Sequence, residues 1–338
     1  MITRLDHMLD RPGTEPRSFD LISDVLRSVR LHAAYFYKVV ANEPWCVTSD
    51  DARARVAGIL PQCEHRIAYH VLVQGQCWGG VPGSPLRAMQ AGDIIVFPGA
   101  GPQQMASAPG ARPQRRRVSV PQSPALPFEL ELGGKGPRKS IFVCGFLGCD
   151  RRPFNPLLDA LPATLLVHGG AGSWLDIFSR QALEETETQR PGGDLIVSRL
   201  AELMFIETLR RYLELLPPEQ RGWLAAARDA VVGRALWLLH SRPAHAWTLE
   251  ELAGELCCSR SVLASRFAEL VQVPPMQYLT RWRMQLAAQR LAESTAKLAE
   301  IARDVGYESE AAFSRAFKRV VGTAPALWRA ARTARSVS

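Results

Sequence analysis

Two sets of side chains in this 338-residue chain could do chemistry, and they lie far apart. Toward the C-terminus, Ser259, Arg260, Ser261, Ala264 and Ser265 have counterparts in Ser309, Glu310, Ala311, Ser314 and Arg315. Hydroxyl and guanidinium groups at the start of a helix can reach base edges. Arg260 is the foremost candidate to hold guanine through two hydrogen bonds, a pairing that supplies about 1 to 3 kcal/mol of discrimination. The second set is His65, His70, Cys77, Cys144 and Cys149. Imidazoles and thiols can ligate a metal, change state on oxidation, or hydrogen-bond a small molecule.

The first set needs two short helices joined by a turn, and the sequence supplies that unit twice. Residues 252–259 carry Leu252, Ala253 and Leu256 ahead of Ser259, and a helical run from Arg260 to Leu270 follows. Residues 301–309 carry Ile301, Ala302 and Val305 ahead of Ser309, followed by Glu310 to Val320. Each Ser can cap its second helix by accepting from freed amides. Phe267 and Phe317 sit eight residues after their caps and point inward, with Val262 and Leu263 assigned to packing beside Phe267. Pro275 then matches Pro325, and Tyr278 matches Trp328, with one extra residue in the second turn. This is a duplicated helix-turn-helix. Thr248 and Glu251 form a capping box ahead of the first unit. The helix from Pro275 to about Glu293 separates the units by a rod of roughly 28 Å, near the roughly 34 Å between successive major-groove faces.

Charge agrees with a polyanionic partner. The chain carries a formal +8. Residues 241–338 hold 14 Lys or Arg against 9 Asp or Glu, so the excess concentrates where the repeat lies. Arg266, Arg281, Arg283, Lys318 and Arg319 are expected to meet phosphate, with a plain solubilising role open for each. Glu310 can accept from cytosine N4, orient an Arg, or only favour its helix N-terminus.

The second set needs a β scaffold. Short β-like runs at Ala33–Val39, Ala68–Val73, Asp93–Phe97, Ser140–Cys144 and Thr164–Val167, between Gly and Pro, imply an antiparallel sandwich or small barrel. A short helix around Ile22, Val25 and Leu26 precedes them. Residues 106–138, rich in Pro, Gly and Arg, are expected to form a mobile loop; its Arg115, Arg116 and Arg117 suit a solvated charge run or a phosphate contact. Helices are expected from Ser173 to Thr188, from Leu195 to Leu216 and from Ala225 to His240. The 195–216 helix either packs on its own β domain or is shared between two subunits. No 20-residue apolar span and no leader is evident, and seven Cys without framework spacing suggest reduced thiols; a soluble cytoplasmic protein is expected. No nucleophile, base and electrophile set is evident: Gly169-Gly170-Ala171-Gly172-Ser173 lacks the Lys of a phosphate-binding loop. The expectation is a protein that is not an enzyme and carries no cofactor.

Residues 225–332 resemble the C-terminal domain of AraC-type transcription regulators. The resemblance rests on Val273-Pro274-Pro275-Met276-Gln277-Tyr278, Gly306-Tyr307, Phe313-Ser314-Arg315-Ala316-Phe317-Lys318, Gly322 and Pro325. Cys257 stands where that family usually has Gly, which implies a strained turn. The N-terminal half resembles the cupin-type sensor of one branch, through residues 69–78, 91–98, 143–145 and 155–162. The implied fold is α+β: a cupin-like barrel or sandwich over 1–173, a helical linker or dimerisation region over 174–221, and an all-α domain with two helix-turn-helix motifs over 222–332.

The resemblance implies double-stranded DNA, a small-molecule effector and RNA polymerase as partners, a homodimer, and activation of transcription. Cupins hold metals through inward histidines, and His70 falls near such a place. Gln103 and Gln104 stand where a further His is expected, and Gln is a poor zinc ligand. Three signals remain open for the sensor, in the order organic ligand, thiol oxidation or electrophile, and metal, the last including a metal-binding cupin enzyme fused to a DNA reader.

Overall fold

A computed structural model describes residues 20–29, 31–49, 65–99, 101–112, 128–149, 153–170, 172–188, 190–217 and 221–336. The β-branched runs form strands as expected: β1 (His32–Asn42), β3 (His65–Gln74), β6 (Ile94–Phe97), β9 (Lys139–Cys149) and β10 (Leu165–Val167). Shorter, more polar strands join them: β2 (Cys46–Ser49), β4 (Gln76–Gly80), β5 (Arg87–Gln90), β7 (Gln103–Ala106) and β8 (Phe128–Gly133). One sheet runs β10-β6-β3-β9-β1-β8 and the other β2-β7-β4-β5.

The expected loop over 106–138 needs correction. β8 lies inside it and pairs parallel with β1, with Lys38 opposite Glu129 and Val40 opposite Glu131. The period-two pattern Phe128-Glu129-Leu130-Glu131-Leu132 favours that strand. The Arg115–Arg117 run falls outside the described residues.

The period of two gives the large sheet two apolar faces. Ala68, Leu72, Ile95, Phe97, Phe142 and Cys144 point inward against Cys77, Met89 and Met105 of the small sheet, and this is the barrel interior. Ile67, Tyr69, Val71, Ile94, Val96, Val143 and Leu147 point the other way. Helices α3 (Trp174–Thr188) and α4 (Gly193–Glu214) cover that outer face with Leu175, Ala182, Val197, Ala201, Met204 and Phe205. Helix α4 therefore packs on its own β domain. It also leaves Leu195, Ile196 and Leu203 exposed.

Helices α1 (Leu21–Val29) and α2 (Pro156–Ala160) lie beside the C-terminal region, which comprises α5 (Trp223–Arg228), α6 (Val232–Ser241), α7 (Leu249–Glu255), α8 (Arg260–Val271), α9 (Pro275–Glu293), α10 (Leu298–Asp304), α11 (Glu310–Val321) and α12 (Pro325–Ser336). The single helix expected over 225–240 is two. Asp229 ends α5 and its carboxylate accepts from the amides of Val231 and Val232 at 3.0 and 2.9 Å, starting α6 afresh. Helix α9 spans two cores. Tyr278, Leu279 and Trp282 belong to the core shared with the first helix-turn-helix and the outer face of the barrel, whereas Met284, Ala287, Ala288 and Leu291 belong to the core of the second.

Candidate nucleic-acid interface

The two units repeat one another down to single hydrogen bonds. Ser259 Oγ accepts from the Val262 amide at 3.3 Å, and Ser309 Oγ from the Ala312 amide at 3.2 Å. In the turns, the Cys258 amide donates to Ala253 O at 3.1 Å, and the Tyr307 amide to Ala302 O at 2.9 Å. Cys257 and Gly306 precede these bonds with φ of 51° and 84°, so Cys257 does sit in the left-handed region that Gly occupies without steric penalty. A Cβ on Gly306 would lie 2.6 Å from Ala244 O. The second helices end on Gln272 and Gly322, both left-handed. Phe267 meets Tyr278 edge-on at 5.8 Å, and Phe317 meets Trp328 edge-on at 6.2 Å. Thr248 Oγ1 caps α7 through the Glu251 amide at 3.1 Å, while the Glu251 carboxylate turns to His245 Nε2 at 2.6 Å.

This framework decides what the second helices present. Leu263, Phe267, Phe313 and Phe317 are fully buried. Ser259, Arg260, Ser261, Ser265, Ser309, Glu310, Ala311 and Arg315 are exposed, and Ala264 and Ser314 half-buried. Val262, expected to pack, is 52% exposed, because it lies off the stripe that Leu263 and Phe267 define.

The cations expected to meet phosphate divide into two groups. Lys318 and Arg319 are exposed on α11, and Arg281 is half-buried on α9. Arg266 instead forks onto Asp229, with Nε to Oδ1 at 3.1 Å and Nη2 to Oδ2 at 2.6 Å. Burial opposes ionisation of Asp229, but Arg266 and the two capping amides outweigh it and hold the carboxyl below its ordinary range. Arg283 departs furthest from the expectation. It donates to Pro243 O at 2.6 Å and His245 O at 2.7 Å, and lies over the Tyr307 ring at 5.8 Å. Burial lowers its pKa. Arg283 is a strut that fastens the approach to α7 to the second turn.

The five candidate sensor residues do not converge. His70, Cys77 and Cys144 point into the barrel. His65 and Cys149 face one another in the β3–β9 register, and Cys149 lies in the outer-face core. His65 Nε2 bonds Pro98 O. His70 Nε2 is 3.0 Å from Gln103 Oε1, and Nδ1 is 2.9 Å from Cys144 Sγ. An amide oxygen only accepts, so Nε2 carries the proton and Nδ1 accepts from the thiol. Burial lowers the His70 pKa, against the opposing Gln103 bond, and pushes the Cys144 thiol well up; the pair is neutral. Cys77, raised likewise by burial, lies 3.8 Å from Met89 Sδ. With both His70 nitrogens engaged, and no three His, Cys, Asp or Glu side chains grouped for a cation among the described residues, the interior does not fit a metal. His168 caps the buried Asp93 at 3.0 Å, away from that pair.

Sequence reasoning missed the junction between the two regions. The Phe154 ring meets Tyr278 edge-on at 5.5 Å, and the Phe154 amide donates to Gln285 Oε1 at 3.1 Å. Tyr278 in turn touches Phe267 of α8, and its hydroxyl bonds Trp223 Nε1 and His240 Nε2, each at 2.8 Å. The partners lie 131 residues apart for Phe154 and Gln285, so no local pattern signals them.

A β-barrel joined to paired, Ser-capped helices on one connecting rod defines a class of DNA-binding regulator. Residues 20–214 match the family model described as Cupin, and residues 252–331 match that described as Helix-turn-helix domain. A protein named AraC-like in Streptomyces lividans is 33% identical over 92% of this chain and 98% of its own length. One of the same description in Streptomyces antibioticus is 45% identical over 51% of this chain, and the match spans 58% of that relative. The HTH-type transcriptional regulator AlkR of Acinetobacter baylyi is 37% identical over 59% of this chain and 66% of its own length. The chain belongs to the AraC-type transcription regulators, with a cupin N-terminal domain. No helix among the described residues is long and apolar enough to cross a membrane.

Proposed function

We propose that the protein is a ligand-controlled activator that, as a homodimer, recruits RNA polymerase to promoters recognised by α8 and α11. The observation that carries control by the barrel is the chain of contacts Phe154–Tyr278–Phe267, which runs from the segment that follows the barrel strands to the first DNA-facing helix. The strand that carries Cys144 into the interior precedes, by a few residues, the Phe154 ring that meets Tyr278, and Tyr278 touches the first reader. A small organic molecule between the sheets that displaced His70 or Gln103 would shift β9 and, through it, Phe154. The exposed Leu195, Ile196 and Leu203 of α4 supply an apolar face for the second subunit.

The test is to select duplexes from the organism's own genomic fragments with full-length protein. Their affinity is then measured with and without a low-molecular-mass cell extract, for the wild type and Phe154→Ala. The wild type responds to the extract and Phe154→Ala does not. Equal responses would remove the proposed route, and no selected fragment would remove the function. A thiol signal is a second reading, favoured by the 2.9 Å approach of Cys144 Sγ to His70. It requires that mild oxidant change DNA affinity in the wild type and not in Cys144→Ser.

A further inference from the structure

The two DNA-facing helices share a frame but not a reading surface. A residue two positions from each member of an i, i+4 buried pair lies about 160–200° around the helix, on the opposite side. Ser265 stands so between Leu263 and Phe267, and Arg315 between Phe313 and Phe317; both are exposed. Ser265 is flanked on that side by Ser261, Ala268 and Glu269, whereas Arg315 is flanked by Ala311, Lys318 and Arg319. No cation lies on the outermost strip of α8, whose one long side chain, Glu269, pairs with Arg221 at 3.2 Å, but α11 offers three cations there.

The two cations of α8 are placed elsewhere. Arg260 lies three positions before Leu263 and seven before Phe267, above the buried stripe, and its guanidinium is 3.7 Å from Glu250 of α7. Arg266 is held by Asp229. Arg315 takes part in no ion pair among the described residues. A free fork on the outermost line of the helix can hold guanine O6 and N7 together.

Resting on the DNA-reading role above, we propose that base discrimination is concentrated in the second unit, with Arg315 as the guanine-reading residue. The first unit, faced by Ser261, Ser265 and Ala268, seats the protein on the duplex with little preference among bases. The small face lets α8 approach the groove closely, and its hydroxyls bond indifferently to several edges.

The experiment takes one selected duplex and measures the affinity of the full-length protein for every single base-pair change in it. Wild type, Arg315→Ala, Arg315→Lys and Ser265→Arg are compared. For the wild type the largest penalty falls at a guanine and is about fivefold or more. Arg315→Ala and Arg315→Lys both abolish that penalty, and the Lys variant keeps the salt dependence, because it keeps the charge and loses the fork. Ser265→Arg creates a new guanine preference about one helical turn, roughly 10 base pairs, away. An unchanged profile in Arg315→Lys, or no new preference in Ser265→Arg, overturns the proposal while leaving DNA binding intact. A wild type that prefers no duplex over a scrambled one overturns the DNA-reading assignment itself. Both substituted positions are exposed, and unchanged melting temperatures verify that the frame persists.

Discussion

The Tyr278 hydroxyl accepts from Trp223 Nε1 and donates to His240 Nε2, each at 2.8 Å, which fixes the imidazole with its proton on Nδ1. That Nδ1 has no partner among the described residues, and the ring stacks on Trp282 at 3.9 Å. Burial lowers the His240 pKa to about 3. The unfolded chain binds this proton more readily, so the contribution of His240 to stability is full above about pH 6.5 and falls as pH drops toward 3. In that window stability is expected to decline by about 1.4 kcal/mol per pH unit from this group. Denaturant melts of His240→Gln between pH 7 and pH 4 should show a shallower decline than the wild type; parallel curves would contradict the assignment.

The turns respond in opposite directions to exchange of Gly. Cys257→Gly relieves a left-handed Cys and should stabilise the protein by about 1 kcal/mol. Gly306→Ala introduces a Cβ 2.6 Å from Ala244 O at φ of 84° and should destabilise it by more than about 1 kcal/mol. Thermal unfolding of the two variants measures both signs.

Lys318→Ala and Arg283→Ala should separate a phosphate contact from a strut. The first should lower the slope of log affinity against log salt by about 1 with little change in melting temperature. The second should lower the melting temperature and leave the slope unchanged, since its guanidinium is spent on Pro243 O and His245 O. A salt titration paired with a melt distinguishes them.

Thiol chemistry should follow exposure. Cys257 is exposed, whereas Cys77 and Cys144 are buried and neutral. Native titration with an aromatic disulfide should lose one fast-reacting thiol in Cys257→Ser and none in Cys144→Ser, and a fast Cys144 would show that the interior opens readily.

What could be seen in the sequence was what repeats or alternates locally. The Ser caps, the paired Phe residues and the Pro275 start of α9 stand at fixed intervals, and the Val- and Ile-rich strands carry their period openly. Strands β2, β4, β5 and β7 did not register because runs such as Gln103-Gln104-Met105-Ala106 have too few residues to show a period. Long-range partners hid the roles of individual cations. Asp229 lies 37 residues before Arg266, and Pro243 O lies 40 before Arg283, so one exposed and one half-buried arginine are fasteners within the chain. The barrel interior obeys the same limit: His65 and Cys149 lie five residues from His70 and Cys144, an odd step that puts them on the other face of the shared sheet.

Helix α9 contributes its first half to one core and its second half to another. Heat or denaturant is therefore expected to act on the two cores separately, with the Arg283 strut tying one to the other. The block nearer the C-terminus, anchored through Met284 and Leu291, can fray and reclose while the barrel and the first unit hold together. Amide exchange should reveal α10 and α11 opening at lower free energy than α5 and α6, which would let the reader search along a duplex while its neighbour keeps hold.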